Sequence, residues 1–111
     1  MEIAIAQERP DTDDASALVA ELEAELAPLY PAPDRHGYSV EQLIAQGVAF
    51  FVARADGAPA GCGGVQIFGA DYGELKRMFV RPAYRGRGLA ARLLATLEGY
   101  ARKRGVPLLR L

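Results

Sequence analysis

The chain has 111 residues, of which half are hydrophobic and 24% are charged, and its formal net charge is −1. This composition excludes disordered and fibrous chains, and the length suffices for one hydrophobic core, so we expect a single domain over residues 1–111. No apolar run approaches the roughly 18 residues of a membrane helix and no secretory signal is recognisable, so we expect a cytoplasmic protein without a membrane partner.

The charge is divided unevenly along the sequence. Residues 1–71 carry 3 basic and 12 acidic side chains, whereas residues 72–111 carry 10 basic and 2 acidic ones. The second part should therefore attract an anion. Solvated acidic and basic helix faces would give the same counts, so composition alone leaves both interpretations open.

The first part of the sequence predicts a strand and two helices. MEIAIA alternates weakly, as a strand does, and PDTDDASALVAELEAELAPLY then has an Asp/Thr helix start with an acidic first turn. After the proline-rich PAPDRHGYS, Ser39 and Gln42 form a capping box for a short helix ending near Gly47. The longer helix is predicted from leucines at near-helical spacing, namely Leu18, Leu22, Leu26 and Leu29.

Three strands, a third helix and a last strand follow. VAFFVAR and APAGCGGVQIF are apolar runs separated by the hairpin signal Asp56-Gly57, and ELKRMFV is a further strand that Pro82 closes. The fold class is therefore α/β (α+β), in the order β-α-α-β-β-β-α-β with VPLLRL as the last strand. Gly105 and Pro107 are the predicted stop signals of the third helix. The predicted apolar stripe of this helix consists of Leu89, Leu93, Leu97 and Tyr100 beside Ala90, Leu94 and Ala101.

A glycine-rich and arginine-rich turn, RPAYRGRGLAARLL, joins the fourth strand to the third helix. The first amides of a helix have no internal partner, and glycine lacks the Cβ atom that would hold a phosphate away, so this turn is a candidate anion site. A Walker P-loop is excluded because no lysine follows the glycines. The dinucleotide fingerprint G-x-G-x-x-G/A is met by residues 86–91, but no acidic ribose ligand stands about 20 residues later.

Residues 74–105, ELKRMFVRPAYRGRGLAARLLATLEGYARKRG, strongly resemble motif A of the Gcn5-related N-acetyltransferase (GNAT) superfamily. Its pattern Q/R-x-x-G-x-G/A is met by Arg85, Gly88 and Ala90, and the upstream order of elements agrees as well. The resemblance implies a mixed, mostly antiparallel sheet flanked by helices. It also implies acetyl-CoA as the cofactor and direct acetyl transfer, in a ternary complex, to a primary amine of a small-molecule or peptide acceptor.

The resemblance further implies a cofactor site with two parts. A turn of main-chain amides would wrap the coenzyme A pyrophosphate, with the arginines either adding attraction or only facing solvent. The pantetheine arm would pair with the fourth strand where it splays from the last strand, although the same side chains would also pack in the core. The turn residues are Arg85, Gly86, Arg87, Gly88, Leu89 and Ala90, and the strand residues are Met78, Phe79 and Val80.

Catalytic roles follow from the same resemblance. The Met78 amide would polarise the thioester carbonyl, which requires geometry rather than a side chain. Glu74 matches the family's glutamate base, with an exposed strand-end charge as the alternative. Tyr30, His36 and Tyr38 fall in a loop that borders the acceptor site in the family, where each would either contact the acceptor or only pack.

Cys62 is the only cysteine, so an intrachain disulfide and a multi-cysteine metal site are excluded and no metal is expected. We interpret Cys62 as a buried strand residue. The alternative is a catalytic nucleophile, which would need the only histidine, His36, beside it.

Family members normally continue past the strand of PLLRL into another helix and a closing strand pair, and their usual general acid is a tyrosine on that helix. We therefore expect a domain incomplete at its C-terminus, either a truncated product or a natural short form. An apolar final strand with an unpaired edge predicts self-association, as a homodimer.

Two other functions stay open at this point. A non-catalytic acyl-CoA-binding or interaction module could use the same scaffold. A nucleic-acid binder could use the basic half, but the sequence lacks the aromatic interleaving and the motifs of such proteins, so no nucleic-acid partner is expected.

Overall fold

The computed structural model describes residues 1–29 and 39–110. The predicted order β-α-α-β-β-β-α-β is confirmed, with a 3₁₀ turn added before the third helix. In chain order the elements are β1 (Ile3–Gln7), α1 (Asp13–Leu26), α2 (Val40–Ala45), β2 (Ala49–Ala55), β3 (Ala58–Phe68), β4 (Tyr72–Val80), the 3₁₀ turn (Pro82–Tyr84), α3 (Leu89–Lys103) and β5 (Leu109–Arg110).

The strands form one mixed sheet in the order β1-β2-β3-β4-β5. The first three neighbouring pairs are antiparallel, whereas β5 pairs parallel to β4 because α3 connects them as a crossover. Asp56 and Gly57 make the turn between β2 and β3 with φ of 49° and 86°, the left-handed values that a two-residue hairpin turn requires. The predicted hairpin at this dipeptide is confirmed.

Helices cover both faces of the sheet. On one face, α1 and α2 pack over a core that includes Leu18, Phe50 and Cys62, all at most 1% exposed. On the opposite face, α3 packs against β2, β3 and β4. The turn that joins the end of β4 to the start of α3 lies at the border of the α3 layer.

The buried stripes of the two long helices differ in part from those predicted. The sheet-facing row of α3 is Leu89, Leu93, Leu97 and Ala101, whereas Ala90 is exposed and Leu94 is 36% exposed. Residues four apart stack on one helix face, so this single row reaches the sheet and its neighbours turn outward. In the first helix the stripe ends early, because α1 stops at Leu26 and Leu29 is 70% exposed.

Both predicted helix starts carry side-chain caps. The Thr12 hydroxyl accepts a hydrogen bond from the Ala15 amide at 3.2 Å. The predicted capping box is confirmed, since the Gln42 amide donates to Ser39 Oγ at 3.2 Å and the Ser39 amide donates to Gln42 Oε1 at 2.9 Å.

None of the helices in the described part of the chain combines the length and apolar character that a membrane crossing requires.

Candidate active site

The turn between β4 and α3 presents a row of backbone amides. Gly86 and Gly88 have φ of 79° and 78°, and Gly88 is the N-cap of α3. A Cβ atom built on either glycine would meet no heavy atom within 4 Å, so glycine serves the left-handed backbone rather than close packing. Within the described residues, the amides from Gly86 to Ala91 donate no hydrogen bond. Unpaired amides at a helix start form a site suited to an anion.

Most of the predicted cofactor-binding residues meet at this turn. A small cavity of about 120 Å³ opens between the end of β4 and the start of α3. Of the remaining predicted residues, Arg87 belongs to the same turn, Met78 lies further back on β4, and the Phe79 side chain points to the α1 side of the sheet. The lining residues are Val80, Tyr84, Arg85, Gly86, Gly88, Leu89 and Ala90.

Strand β4 carries a β-bulge at Arg77. Cys62 of β3 pairs with Phe79, but Gly64 pairs with Lys76, so β4 has one more residue than β3 between these pairs. Arg77 has φ of 53°, an uncommon value for a residue with a side chain. Its carbonyl oxygen accepts a weak hydrogen bond from Cys62 Sγ at 3.4 Å. The inserted residue reverses which main-chain groups of β4 face β3.

Beyond the bulge, the main-chain groups of Met78 and Val80 face away from β3. The Arg81 amide donates to the Ala60 oxygen at 2.8 Å, on the β3 side, and successive residues of a strand alternate in direction. On the other side, β5 pairs with β4 only at Gly73 and Glu74. Within the described residues, this end of β4 therefore has an open main-chain edge beside the glycine turn.

The candidate base Glu74 forms an ion pair with a buried lysine. Lys76 Nζ donates to Glu74 Oε1 at 2.6 Å, and the side chains of Lys76 and Glu74 are 4% and 32% exposed. A buried ammonium group requires such a partner, because losing its hydration is costly. The sequence ELKRMFV indicated that both side chains lie on one face of a strand, because they are two residues apart. It gave no sign that Lys76 is buried.

Arg85 and Arg87, the two arginines next to the glycines of the turn, have different surroundings. Arg85 Nε donates to the Val80 oxygen at 2.8 Å, and its Nη2 donates to the carboxylate of Glu25 at 2.8 and 3.0 Å. Arg87 is exposed and forms no ion pair or side-chain hydrogen bond with any residue that the structure describes. Among the residues that the structure describes, no side chain pairs with Arg87, so its positive charge is available to an incoming anion.

Carboxylates of α1 pair with arginines of the sheet and of the turn. The distances are 2.6 Å for Glu21–Arg81, 2.7 Å for Glu23–Arg77 and 2.8 Å for Glu25–Arg85. The hydrogen bond from Arg81 holds the pKa of Glu21 below its ordinary value. Three acidic side chains of residues 1–71 therefore pair with three basic ones of residues 72–111 where α1 meets the sheet and the turn, contacts between distant segments that composition could not indicate.

Cys62 lies in the core as predicted, with 0% exposure. Burial raises the pKa of its thiol to about 12. Because a thiol that stays protonated is a poor nucleophile, this supports its interpretation as a strand residue rather than a catalytic one. Tyr30, His36 and Tyr38, the predicted acceptor contacts, lie outside the described residues.

Comparisons with known proteins agree on one family. The Acetyltransferase (GNAT) family model matches residues 15–111. The "IAA acetyltransferase" of Azospirillum brasilense is 40% identical over 105 residues, which are 94% of this chain and 69% of that protein.

Solved structures show the same fold. A chain from Klebsiella pneumoniae, provisionally assigned as an acyl-CoA N-acyltransferase, has a TM-score of 0.70 and 31% identity, covering 92% of this chain and 65% of its own length. PaiA N-acetyltransferase from Thermoplasma acidophilum, solved in complex with coenzyme A, has a TM-score of 0.71 and 22% identity, with 96% and 76% covered. This chain thus spans slightly less than two thirds of the Klebsiella protein. By its matched residues and by its fold, the chain belongs to the GNAT family of acetyltransferases.

Proposed function

We propose that this chain binds acetyl-CoA and transfers the acetyl group to a primary amine by direct attack in a ternary complex. The observation that carries the proposal is the row of unpaired amides from Gly86 to Ala91 beside the open main-chain edge of β4. Family membership supports it independently. The coenzyme A in the Thermoplasma acidophilum neighbour supports the choice of cofactor.

The turn fits the diphosphate of coenzyme A by its chemistry. Amide donors to a charged group contribute about 1.5–3 kcal/mol each, so two or three of them can hold a diphosphate without a metal ion. The glycines leave open space in front of these amides, and Arg87 adds a positive charge that has no ion-pair partner in the described part of the chain. The cavity lined by Val80 and Leu89 offers a partly apolar surface next to the anion site.

The open edge of β4 fits an extended chain that carries amide groups, such as pantetheine. Met78 and Val80 each turn an N–H and a carbonyl oxygen toward that edge. The Val80 oxygen already accepts a hydrogen bond from Arg85, but a carbonyl oxygen has two lone pairs and can accept another. Pairing with the main chain would fix the thioester close to Met78.

The reaction would form a bond from the amine nitrogen to the acetyl carbon and break the bond from that carbon to sulfur. Negative charge grows on the carbonyl oxygen in the transition state, and the Met78 amide is the donor we assign to it. The amine loses a proton, and the departing thiolate takes one up. We assign the first proton transfer to Glu74, directly or through a water molecule, which requires a carboxylate lone pair that Lys76 does not occupy.

The experiment combines a binding measurement and a turnover measurement. Acetyl-CoA and desulfo-CoA should bind in calorimetric titration, and one or more amines of a panel should release free coenzyme A thiol. IAA, after which the Azospirillum brasilense relative is named, is assayed separately beside the amine panel. Binding without thiol release from any amine would favour a non-catalytic acyl-CoA-binding module. Absence of binding would refute the proposal as a whole.

For the quaternary state, we propose a homodimer formed along β5. This strand pairs with β4 over two residues, and the neighbouring Leu108 is 49% exposed. An exposed strand edge with an apolar side chain beside it is a common site of strand pairing. Light scattering should give a dimer mass at high protein concentration, and a monomer mass across the whole range would contradict this.

A further inference from the structure

We propose that Glu25 of α1 is a positioning residue for the cofactor. Glu25 holds Arg85, and Arg85 in turn holds the end of β4 and the glycine turn in the arrangement that binds coenzyme A. This inference rests on the proposed function, since it concerns the same diphosphate site.

One guanidinium group joins three segments of the chain. Arg85 begins the glycine turn, its Nε donates to the Val80 oxygen at the end of β4 at 2.8 Å, and its Nη2 donates to both carboxylate oxygens of Glu25 at 2.8 and 3.0 Å. The same group lies 5.7 Å from the centroid of the Phe79 ring. Arg85 thus connects the turn to the strand before it and to a helix 60 residues earlier in the sequence.

The side chain of Arg85 is directed to the opposite side of the sheet from α3. Phe79 belongs to the core beneath α1, whereas Val80 and Leu89 belong to the core beneath α3. A guanidinium group held against Phe79 and Glu25 faces away from the first amides of α3. The side chain of Arg85 therefore anchors the turn. The neighbouring Arg87, which pairs with no side chain among the described residues, can meet the diphosphate.

Anchoring the turn affects binding because the turn contains two glycines in left-handed conformation. Glycine loses more conformational freedom on ordering than any other residue, so a loose turn would have to be ordered during binding. Anchoring Arg85 at Glu25 and at Val80 orders the turn beforehand. Without the Glu25 carboxylate, Arg85 would lose two of the three hydrogen bonds described above and keep the one to the Val80 oxygen. The turn would then become more mobile.

Calorimetric titration with coenzyme A tests the role of Glu25, with Glu21→Gln as the matched control. Glu21 lies one turn earlier on α1 and holds Arg81 through two hydrogen bonds of 2.6 and 2.9 Å, but Arg81 donates to the Pro59 oxygen and not to the glycine turn. Each of the two carboxylates is about half exposed, so loss of either ion pair should lower the melting temperature similarly.

Glu25→Gln should raise the Kd for coenzyme A by about two- to fivefold, while Glu21→Gln leaves it unchanged. Glu25→Asp should recover part of the affinity, and Glu25→Gln should have no further effect in an Arg85→Gln background. In turnover, the KM for acetyl-CoA should rise with little change in kcat.

Three outcomes would overturn the inference. Unchanged or tighter binding by Glu25→Gln would show that Glu25 is indifferent or competes with the diphosphate for Arg85. Equal weakening by Glu21→Gln would show a general loss of stability. If the wild-type protein binds no coenzyme A, the proposed function fails together with this inference, whereas normal wild-type binding with an unaffected Glu25→Gln variant refutes the positioning role alone.

Discussion

The two ends of α3 provide a matched pair of substitutions that isolates the anion site. Gly88 before the helix and Gly105 after it have φ of 78° and 77°, and a Cβ atom on either would meet no heavy atom within 4 Å. Alanine at each position therefore introduces the same backbone strain without a clash. A left-handed conformation costs a residue with a side chain roughly 1–2 kcal/mol, so both variants should lose similar stability.

Binding of coenzyme A should separate the two variants. If alanine at position 88 relaxes out of the left-handed conformation, the peptide that orients the first amides of α3 rotates. The same relaxation at position 105 would occur at the far end of the helix. Loss of one amide donor to the diphosphate, at about 1.5–3 kcal/mol, raises Kd by about 10- to 150-fold.

The assay is calorimetric titration of both variants with coenzyme A, after thermal melts have shown that they are equally folded. Gly105→Ala should bind as the wild-type protein does, and Gly88→Ala should bind at least tenfold more weakly. Equal affinities in the two variants would refute the assignment of the diphosphate to this turn.

Further predictions concern the charges and the thiol. Arg87→Ala should weaken coenzyme A binding by a few-fold and reduce its dependence on ionic strength, and an unchanged salt dependence would contradict the role of that charge. Because the pKa of the buried Cys62 thiol is raised to about 12, the folded protein should react slowly with a thiol reagent at pH 8. The unfolded thiol ionises above roughly pH 8.5, so the free energy of unfolding should fall between about pH 9 and 12, by up to about 1.4 kcal/mol per pH unit, and a flat profile there would contradict the burial. Glu74→Gln should lower kcat and also destabilise the fold by about 1–3 kcal/mol, because the ion pair between the buried Lys76 ammonium and the Glu74 carboxylate is lost. The double variant Glu74→Gln/Lys76→Met should regain stability without regaining kcat, and recovery of kcat would show that Glu74 is not the base.

Local patterns were sufficient to predict the order of the elements and the position of the glycine turn. The hairpin at Asp56-Gly57 and the capping box at Ser39 and Gln42 depend on residues a few positions apart, and the structure has both. The glycine turn is equally local, since its chemistry follows from a strand end, two glycines and a helix start. Each of these features forms from neighbours in sequence, which is why the residue pattern alone indicated it.

The contacts that complete the candidate site depend on tertiary structure. The bulge at Arg77 arises from the register between β3 and β4, and no residue type in ELKRMFV marks it. The ion pair from Glu25 to Arg85 joins residues 60 positions apart, so the acidic side of α1 was equally compatible with simple solvation. Burial of Lys76 beside Glu74 likewise follows from the packing around β4 and could not be derived from spacing.

In the proposed complex, the amides from Gly86 to Ala91 hold the diphosphate of the cofactor. The most direct test follows the backbone amide resonances of ¹⁵N-labelled protein while coenzyme A is added. We expect the amide protons of Gly86 through Ala91 to shift downfield as they form hydrogen bonds. We also expect Arg85→Gln to weaken the titration without abolishing these shifts. If coenzyme A binds while these resonances stay in place and amides elsewhere move, the diphosphate lies at another site and its assignment to the glycine turn is wrong.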